Sequence, residues 1–270
     1  MKQGVAALVG LLLLPAAGHA GSVFEHPAQT IQLGVSALHF RYKEVDDDGS
    51  MLDREDGNLP GVYAAARVER DKAIVMATLS YHWGTVKYDG HVIETMERHQ
   101  TDTDEAIAEA TLTFGHYLGE SRRTALYLGG GYRHWQRNIR SRGNVGGINE
   151  LYTWAYGILG GSLRLWRGSD VLLAMDARAT YPISPKLRIH WPGNQGYLTL
   201  QLPSRTGYRI AFPLEVALNP RVTLAVAPYY EYWKLPKSDA VLIGDATDYY
   251  AVWEPESTTK NVGVTLSLGF

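Results

Sequence analysis

The segment Asn261-Val262-Gly263-Val264-Thr265-Leu266-Ser267-Leu268-Gly269-Phe270 constrains the fold more than any other stretch. Side chains of a strand point alternately to opposite faces, so Val262, Val264, Leu266, Leu268 and Phe270 form one apolar face, opposed by Gly, Thr and Ser. The same alternation recurs upstream. In Val171–Tyr181 the apolar odd positions oppose Asp176, Arg178 and Thr180; in Thr206–Leu218 the apolar even positions oppose Arg209 and Glu215. A soluble sheet would bury the apolar set, whereas a barrel in lipid turns it outward, because an outward charge near mid-bilayer costs about 2–4 kcal/mol for Arg or Lys. Periodicity alone fits both orientations.

The alternation predicts strands at Thr30–Glu44, Leu59–Glu69, Ala73–Tyr88, Glu105–Leu118, Thr124–Gln136, Leu151–Leu165, Val171–Tyr181, Thr206–Leu218, Val222–Trp233 and Thr258–Phe270. Short polar connections (Arg70–Lys72, Gly119–Arg123, Trp166–Asp170, Asn219–Arg221) alternate with long ones (Val45–Asn58, Asp89–Asp104, Arg137–Glu150, Pro182–Arg205, Lys234–Ser257). The expected fold is all-β: an antiparallel up-and-down transmembrane β-barrel of about ten strands, with eight or twelve as the neighbouring even counts. Parity slips in the first strand, where Ile31, Leu33 and Val35 give way to Leu38, Phe40 and Tyr42; this implies either a bulge near Ser36 or a change of environment above the bilayer. Pro213 and Pro228 each remove a ladder donor and predict local irregularity.

Residues 1–20 read as a signal peptide: Lys2, an apolar core from Val5 to Leu14, and the small-x-small end Gly18-His19-Ala20. Residues 21–270 then form one domain, the barrel, exported to the outer membrane of a Gram-negative cell. The formal net charge of −2 and the absence of a basic cluster argue against nucleic acid as a partner. With no cysteine, neither a disulfide framework nor a thiolate metal site is available.

With apolar faces outward, the lumen collects Arg67, Glu69, Glu109, Arg133, Arg164, Asp176, Arg178, Arg209, Glu215 and Glu231, with Tyr63, Tyr127 and His82. Opposite charges in comparable number, confined in a narrow barrel, pair with one another because an unpaired buried charge is costly. A charge-selective pore would show one sign in excess. Gly129-Gly130-Gly131 has no following helix and no P-loop Lys, so it is expected to make room for large neighbours or to permit curvature in the wall.

The terminal strand, ending on Phe270, resembles the closing strand of bacterial outer-membrane barrels, where a terminal Phe belongs to the assembly signal. Signal peptide, strand number and Asp102-Thr103-Asp104 in a long loop together resemble the omptins, outer-membrane proteases that pair two aspartates with a His–Asp couple around a water. Asp102 and Asp104 would match the aspartate pair, but the fourth long loop contains His190 and no aspartate. Asp89 and His91 have the right types in the second long loop instead. Over nearly the whole mature length the chain resembles poorly characterised proteobacterial outer-membrane barrels, through Phe40-Arg41-Tyr42-Lys43-Glu44, Gly130-Gly131-Tyr132-Arg133, Tyr230-Glu231-Tyr232-Trp233 and Trp253-Glu254-Pro255-Glu256-Ser257-Thr258-Thr259.

The sequence therefore predicts a non-enzymatic barrel with a structural or surface-interaction role, its lumen plugged by ion pairs. A narrow porin-like channel and an omptin-like protease are the alternatives. Neither a cofactor nor a metal is expected. The acidic run Asp46-Asp47-Asp48, Asp53, Glu55 and Asp56 lacks EF-hand spacing and reads as an exposed loop. Expected partners are outer-membrane lipid and lipopolysaccharide, the barrel-assembly machinery and a surface ligand of the extracellular loops; the chain is expected to be a monomer. The two longest loops, Pro182–Arg205 and Lys234–Ser257, carry too many aromatic and aliphatic residues to be disordered; they are expected to extend the barrel and pack on themselves above the membrane, the alternative being an apolar patch for a surface partner or lipopolysaccharide.

Overall fold

In a computed structural model of the chain, residues 29–270 are described except 93, 94, 96, 193–195 and 245–248; the expected signal peptide lies outside them. The strands are β1 (Gln29–Val45), β2 (Met51–Arg70), β3 (Ala73–His91), β4 (Arg98–Leu118), β5 (Thr124–Ile139), β6 (Ile148–Arg167), β7 (Val171–His190), β8 (Leu198–Gln201), β9 (Gly207–Ala211), β10 (Leu214–Asn219), β11 (Val222–Leu235), β12 (Val241–Gly244), β13 (Tyr249–Val252) and β14 (Glu256–Gly269). Each of β1 to β7 pairs antiparallel with the next, and β14 closes the ring by pairing with both β1 and β11. β8, β9 and β10 are three pieces of one wall position against β7, so the barrel has ten staves.

The irregularities have local causes. Pro213 separates β9 from β10. Pro228 does not interrupt β11, contrary to expectation, because its carbonyl accepts from Phe212 N at 2.9 Å and its missing donor faces that same break. The β1 register runs unshifted through Ser36, so there is no bulge there. The side chains keep their faces while the chemistry inverts: Ile31, Leu33 and Val35 point out below Ser36, and Leu38, Phe40 and Tyr42 point in above it. A bulge does occur in β7, at Ser184 with φ 48°, and it turns Leu187 and Ile189 inward.

The long loops expected from sequence are mostly strand. β1 and β2 continue until residues 46–50, and β4 and β5 run above Glu105 and Gln136. Charges had marked these segments as loops, yet above a bilayer a strand points its charges at water like any soluble sheet. Outside, an apolar band includes Leu128 at 63% and Leu159 at 68% exposure, a surface suited to hydrocarbon. Tyr81 and Trp83 stack at its upper edge with ring centroids 5.3 Å apart, and Trp166 and Phe270 lie exposed at the other end.

Candidate functional site

At the level of the apolar band the lumen is crossed by ion pairs. Arg133 Nη1 lies 2.9 Å from Glu109 and 2.9 Å from Glu231; Arg178 reaches Glu109 at 3.1 Å and Arg209 reaches Glu231 at 3.9 Å. Nearer the turns, Arg67 pairs with Glu69 and donates to Tyr117 Oη at 2.6 Å, and Arg164 donates to the same oxygen at 2.8 Å. Tyr127 donates to Asp176 at 2.9 Å. Glu215 lines a small cleft at that end with Arg67 and Arg221. The inward Gly131 gives Tyr156 its place, since a Cβ there would lie 2.3 Å from the Tyr156 ring.

Above the ion pairs the interior is a packed apolar core rather than a channel. Phe40, Leu59, Val86, Trp135, Tyr152, Leu187 and Leu200 are almost fully buried within it. Trp135 stacks on Tyr152 with centroids 4.5 Å apart, and Trp154 and Trp233 flank the Arg133 guanidinium at 5.7 and 5.3 Å.

Among these rings lies a chamber of carboxylates around one guanidinium. Arg137, 1% exposed, bonds Glu55 through Nε at 3.0 Å, Asp53 through Nη2 at 2.8 Å, and Glu44 and Glu150 through Nη1 at 3.1 and 2.8 Å. Trp135 donates to Glu105 at 2.5 Å, and Tyr152 donates to Glu254 at 2.6 Å. Burial and the neighbouring Asp53 charge push the Glu44 carboxyl well up; burial, with Glu55, does the same to Glu105. Burial raises Asp53 to about 6 against the attraction of Arg137, and burial with the Glu150 charge raises Glu254 to about 8. No three acidic or histidine groups among the described residues are arranged to hold a metal ion.

The catalytic candidates lie elsewhere. Asp102 and Asp104 are on strand β4, not in a loop, and their parity turns them to the outer wall. Lys87 bonds Asp102 at 2.7 Å, while Arg140 at 2.6 Å and the Thr85 hydroxyl at 2.7 Å hold Asp104. Asp89 is chelated by Arg98 at 2.7 and 2.8 Å and met by Arg54 at 3.0 Å. Hydrogen bonds from these cations hold all three carboxyls below their usual range. The His91 ring bonds the Leu52 carbonyl at 3.1 Å rather than an aspartate. Asp89 and Asp102 line a groove of about 1160 Å³ in a charged outer collar, with Arg41, Lys43, Arg54, Lys87, Arg140 and Lys260 among others.

Asp53 and Glu55, expected in an exposed acidic loop, are instead interior residues of β2; Asp46, Asp47, Asp48 and Asp56 are exposed. The sequence puts Arg137 and Glu150 at the two ends of an expected connection, Glu105 at the start of an expected strand and Glu254 only in a motif. Parity carried further would have found them. Glu150, Tyr152, Trp154, Tyr156 and Ile158 are successive even positions of one face, as Arg133, Trp135 and Arg137 are successive odd ones.

No protein-family model matches the chain, and no curated protein matches it significantly. Among solved structures it resembles the outer membrane protease OmpT from Escherichia coli at 13% identity and TM-score 0.55, over 90% of this chain and 95% of that one. It also matches the translocator domain of the autotransporter NalP from Neisseria meningitidis (11% identity, 90% and 89% covered, TM-score 0.46) and the outer membrane protein OprG from Pseudomonas aeruginosa (11% identity, 90% and 94% covered, TM-score 0.42). What the chain shares with OmpT is the fold, the closed antiparallel barrel.

Proposed function

We propose that the protein is an integral outer-membrane barrel of a Gram-negative cell that neither conducts nor catalyses, and whose working surface is its extracellular collar. The observation that carries this reading is the filling of the lumen: ion pairs at the level of the apolar band, topped by a core of Trp, Tyr and Leu side chains. A solute path would have to displace both. Against catalysis, Asp89, Asp102 and Asp104 each have a cation for a partner on the outer wall, which leaves none of them as a free base.

The outer groove suggests the surface partner. Lys43 and Lys260 have no acidic partner among the described residues, and they line the groove with Arg41, Arg54, Lys87 and Arg140, just above the apolar band. Phosphorylated outer-leaflet glycolipid, lipopolysaccharide, has the charge and the position to occupy it. Export through the signal peptide, assembly directed by Phe270 and a monomeric state complete the reading. Planar-bilayer recording on the purified chain is the test. The expected result is a silent bilayer with heat-shifted gel migration of the folded barrel; steady single-channel conductance from the wild type would overturn the reading.

A further inference from the structure

Between β11 and β14 the chain enters the barrel mouth at Ser238 and Glu254. Ser238 N donates to the Glu254 carbonyl at 2.9 Å, and the Glu254 N–H donates to Ser238 Oγ at 2.9 Å, which ties the two legs of the β12–β13 hairpin together. Both residues are buried, whereas Leu242 and Tyr249 on the hairpin are each 65% exposed. Outside, Lys237 fastens the segment to Asp47 in the β1–β2 turn at 2.7 Å. The only ionisable side chain this segment sends inward among the described residues is Glu254, and it enters the one part of the interior already crowded with negative charge.

We propose that Glu254 is a proton-operated latch: with its carboxyl protonated the two legs of the hairpin, residues 236–240 and 252–255, are docked in the barrel mouth, and loss of that proton to water releases them. The groups around the latch are Tyr42 and Glu44 on β1, Asp53 and Glu55 on β2, Tyr88 on β3, Glu105 on β4, Arg137 on β5, and Glu150 and Tyr152 on β6. Arg137 is the single cation of this set, and four of the other carboxylates already bond it directly. The shortage of donors is visible in the geometry. Asp53 Oδ1, Glu55 Oε2 and Glu105 Oε1 are fully buried and receive no hydrogen bond from the protein. Protons on the crowded carboxyls supply the donors that the protein does not. The chamber therefore closes as a proton-loaded unit. Within it Glu254 differs in one respect: it is carried by the connecting segment and not by a barrel stave, so its repulsion has somewhere to go.

The sign follows from linkage. The docked carboxyl is raised from an ordinary value of 4.5 to about 8. Docking is fully supported below the ordinary value and weakens as pH rises between the two, about tenfold per unit for one proton, with no further loss above 8. This does not depend on whether the lumen conducts.

Because the chain has no cysteine, single thiols report docking cleanly. Val252→Cys, which replaces a side chain packed on the interior core, is labelled with a membrane-impermeant thiol reagent in reconstituted vesicles from pH 5 to 9, and Leu242→Cys, on the exposed hairpin, normalises the reagent's own pH dependence. The expected labelling ratio rises about tenfold per pH unit toward a plateau near 8, and becomes flat when Glu254→Gln is added. A flat ratio without that change, or an unchanged slope with it, overturns the latch. Should Glu254→Gln fail to assemble, infrared spectroscopy of the ¹³C-glutamate-labelled wild type decides. A protonated-carboxyl band that disappears between pH 6 and 9 supports the proposal, and a spectrum with no titrating glutamic acid in that window overturns it.

Discussion

In β1, Ile31, Leu33 and Val35 point out while Thr30, Gln32 and Ser36 point in; a few residues higher Arg41 and Lys43 point out and Phe40 and Tyr42 point in. β5 repeats the change, from Leu126 and Leu128 outward to Gln136 outward and Trp135 inward. One backbone, in one register, serves two solvents. Below the aromatic girdle the wall faces hydrocarbon and the polar groups are interior, where Arg133, Arg178 and Arg209 meet Glu109 and Glu231 in near balance. Above it the wall faces water, the interior is apolar, and the charges left inside are mostly of one sign around Arg137. The difference teaches that burial alone does not fix how charges are managed. The lower half meets its carboxylates with cations in near balance, and the upper half gathers Glu44, Asp53, Glu55, Glu105, Glu150 and Glu254 around the single guanidinium of Arg137.

The sharpest way to break this contrast is to remove the cation from each half. Arg137→Ala leaves Glu44, Asp53, Glu55 and Glu150 without their shared donor and is expected to destabilise by about 3–5 kcal/mol, the range for breaking a buried pair. Arg133→Ala should cost less, because Arg178 still serves Glu109 and Arg209 still lies near Glu231. Urea unfolding from vesicles ranks the two, and equal losses would dissolve the distinction between the halves. Next in size is the outer wall. Leu128→Arg, in the apolar band, is expected to cost about 2–4 kcal/mol, whereas Gln136→Arg on the same strand above the girdle should be within about 0.5 kcal/mol of wild type. Comparable costs at the two sites would show that the bilayer does not end between them.

A smaller effect tests the fit inside the lumen. Gly131→Ala places a methyl 2.3 Å from the Tyr156 ring, and overpacking of that kind costs about 1–3 kcal/mol. Tyr156→Leu in the same chain should recover most of it, measured by the same unfolding; no recovery would locate the strain in the backbone.

The barrel and its lower interior were legible because the hydrocarbon-facing positions carry an unbroken apolar parity, as in Val262 to Phe270, and the lumen charges follow by exclusion. The upper half was not, for a physical reason. Once the outer solvent becomes water, charge stops marking loops and starts marking the outer face of a strand, so Arg54, Asp56, Asp102 and Asp104 read as connections when they are wall. Asp53 and Glu55 were hidden by the same run, since a buried carboxylate is recognisable only from what meets it, here an arginine from β5. Of the two longest expected loops, Pro182–Arg205 buries Leu187, Ile189 and Leu200 in the barrel interior and leaves Tyr197 exposed. The other presents Leu242, Tyr249 and Tyr250 to the outside, contrary to the expected self-packing.

The smallest expected effect separates the two halves of the acid chemistry by pH. Collar carboxyls Asp89, Asp102 and Asp104 are held below their ordinary values by hydrogen bonds from Arg98, Lys87 and Arg140, so their modest contribution is present above the unfolded value near 4 and is lost as pH falls through the lower folded value. Chamber carboxyls behave oppositely: Asp53 and Glu254, raised to about 6 and about 8, favour the folded state most at low pH and lose that support as pH rises. Between pH 5 and 8 Asp53 and Glu254 titrate while the collar carboxyls stay ionised, so the wild type should lose stability with rising pH relative to Glu254→Gln, a slope that belongs to the chamber. Asp104→Asn should leave that slope untouched and shift only the acid limb, while added salt, which screens exposed pairs far more than buried ones, should flatten the acid limb alone. Unfolding midpoints at pH 3.5, 5, 6.5 and 8, with and without salt, decide it. A pH 5–8 profile that Glu254→Gln leaves unchanged would mean that the chamber is ionised in the folded protein and that Arg137 carries its excess charge without protons.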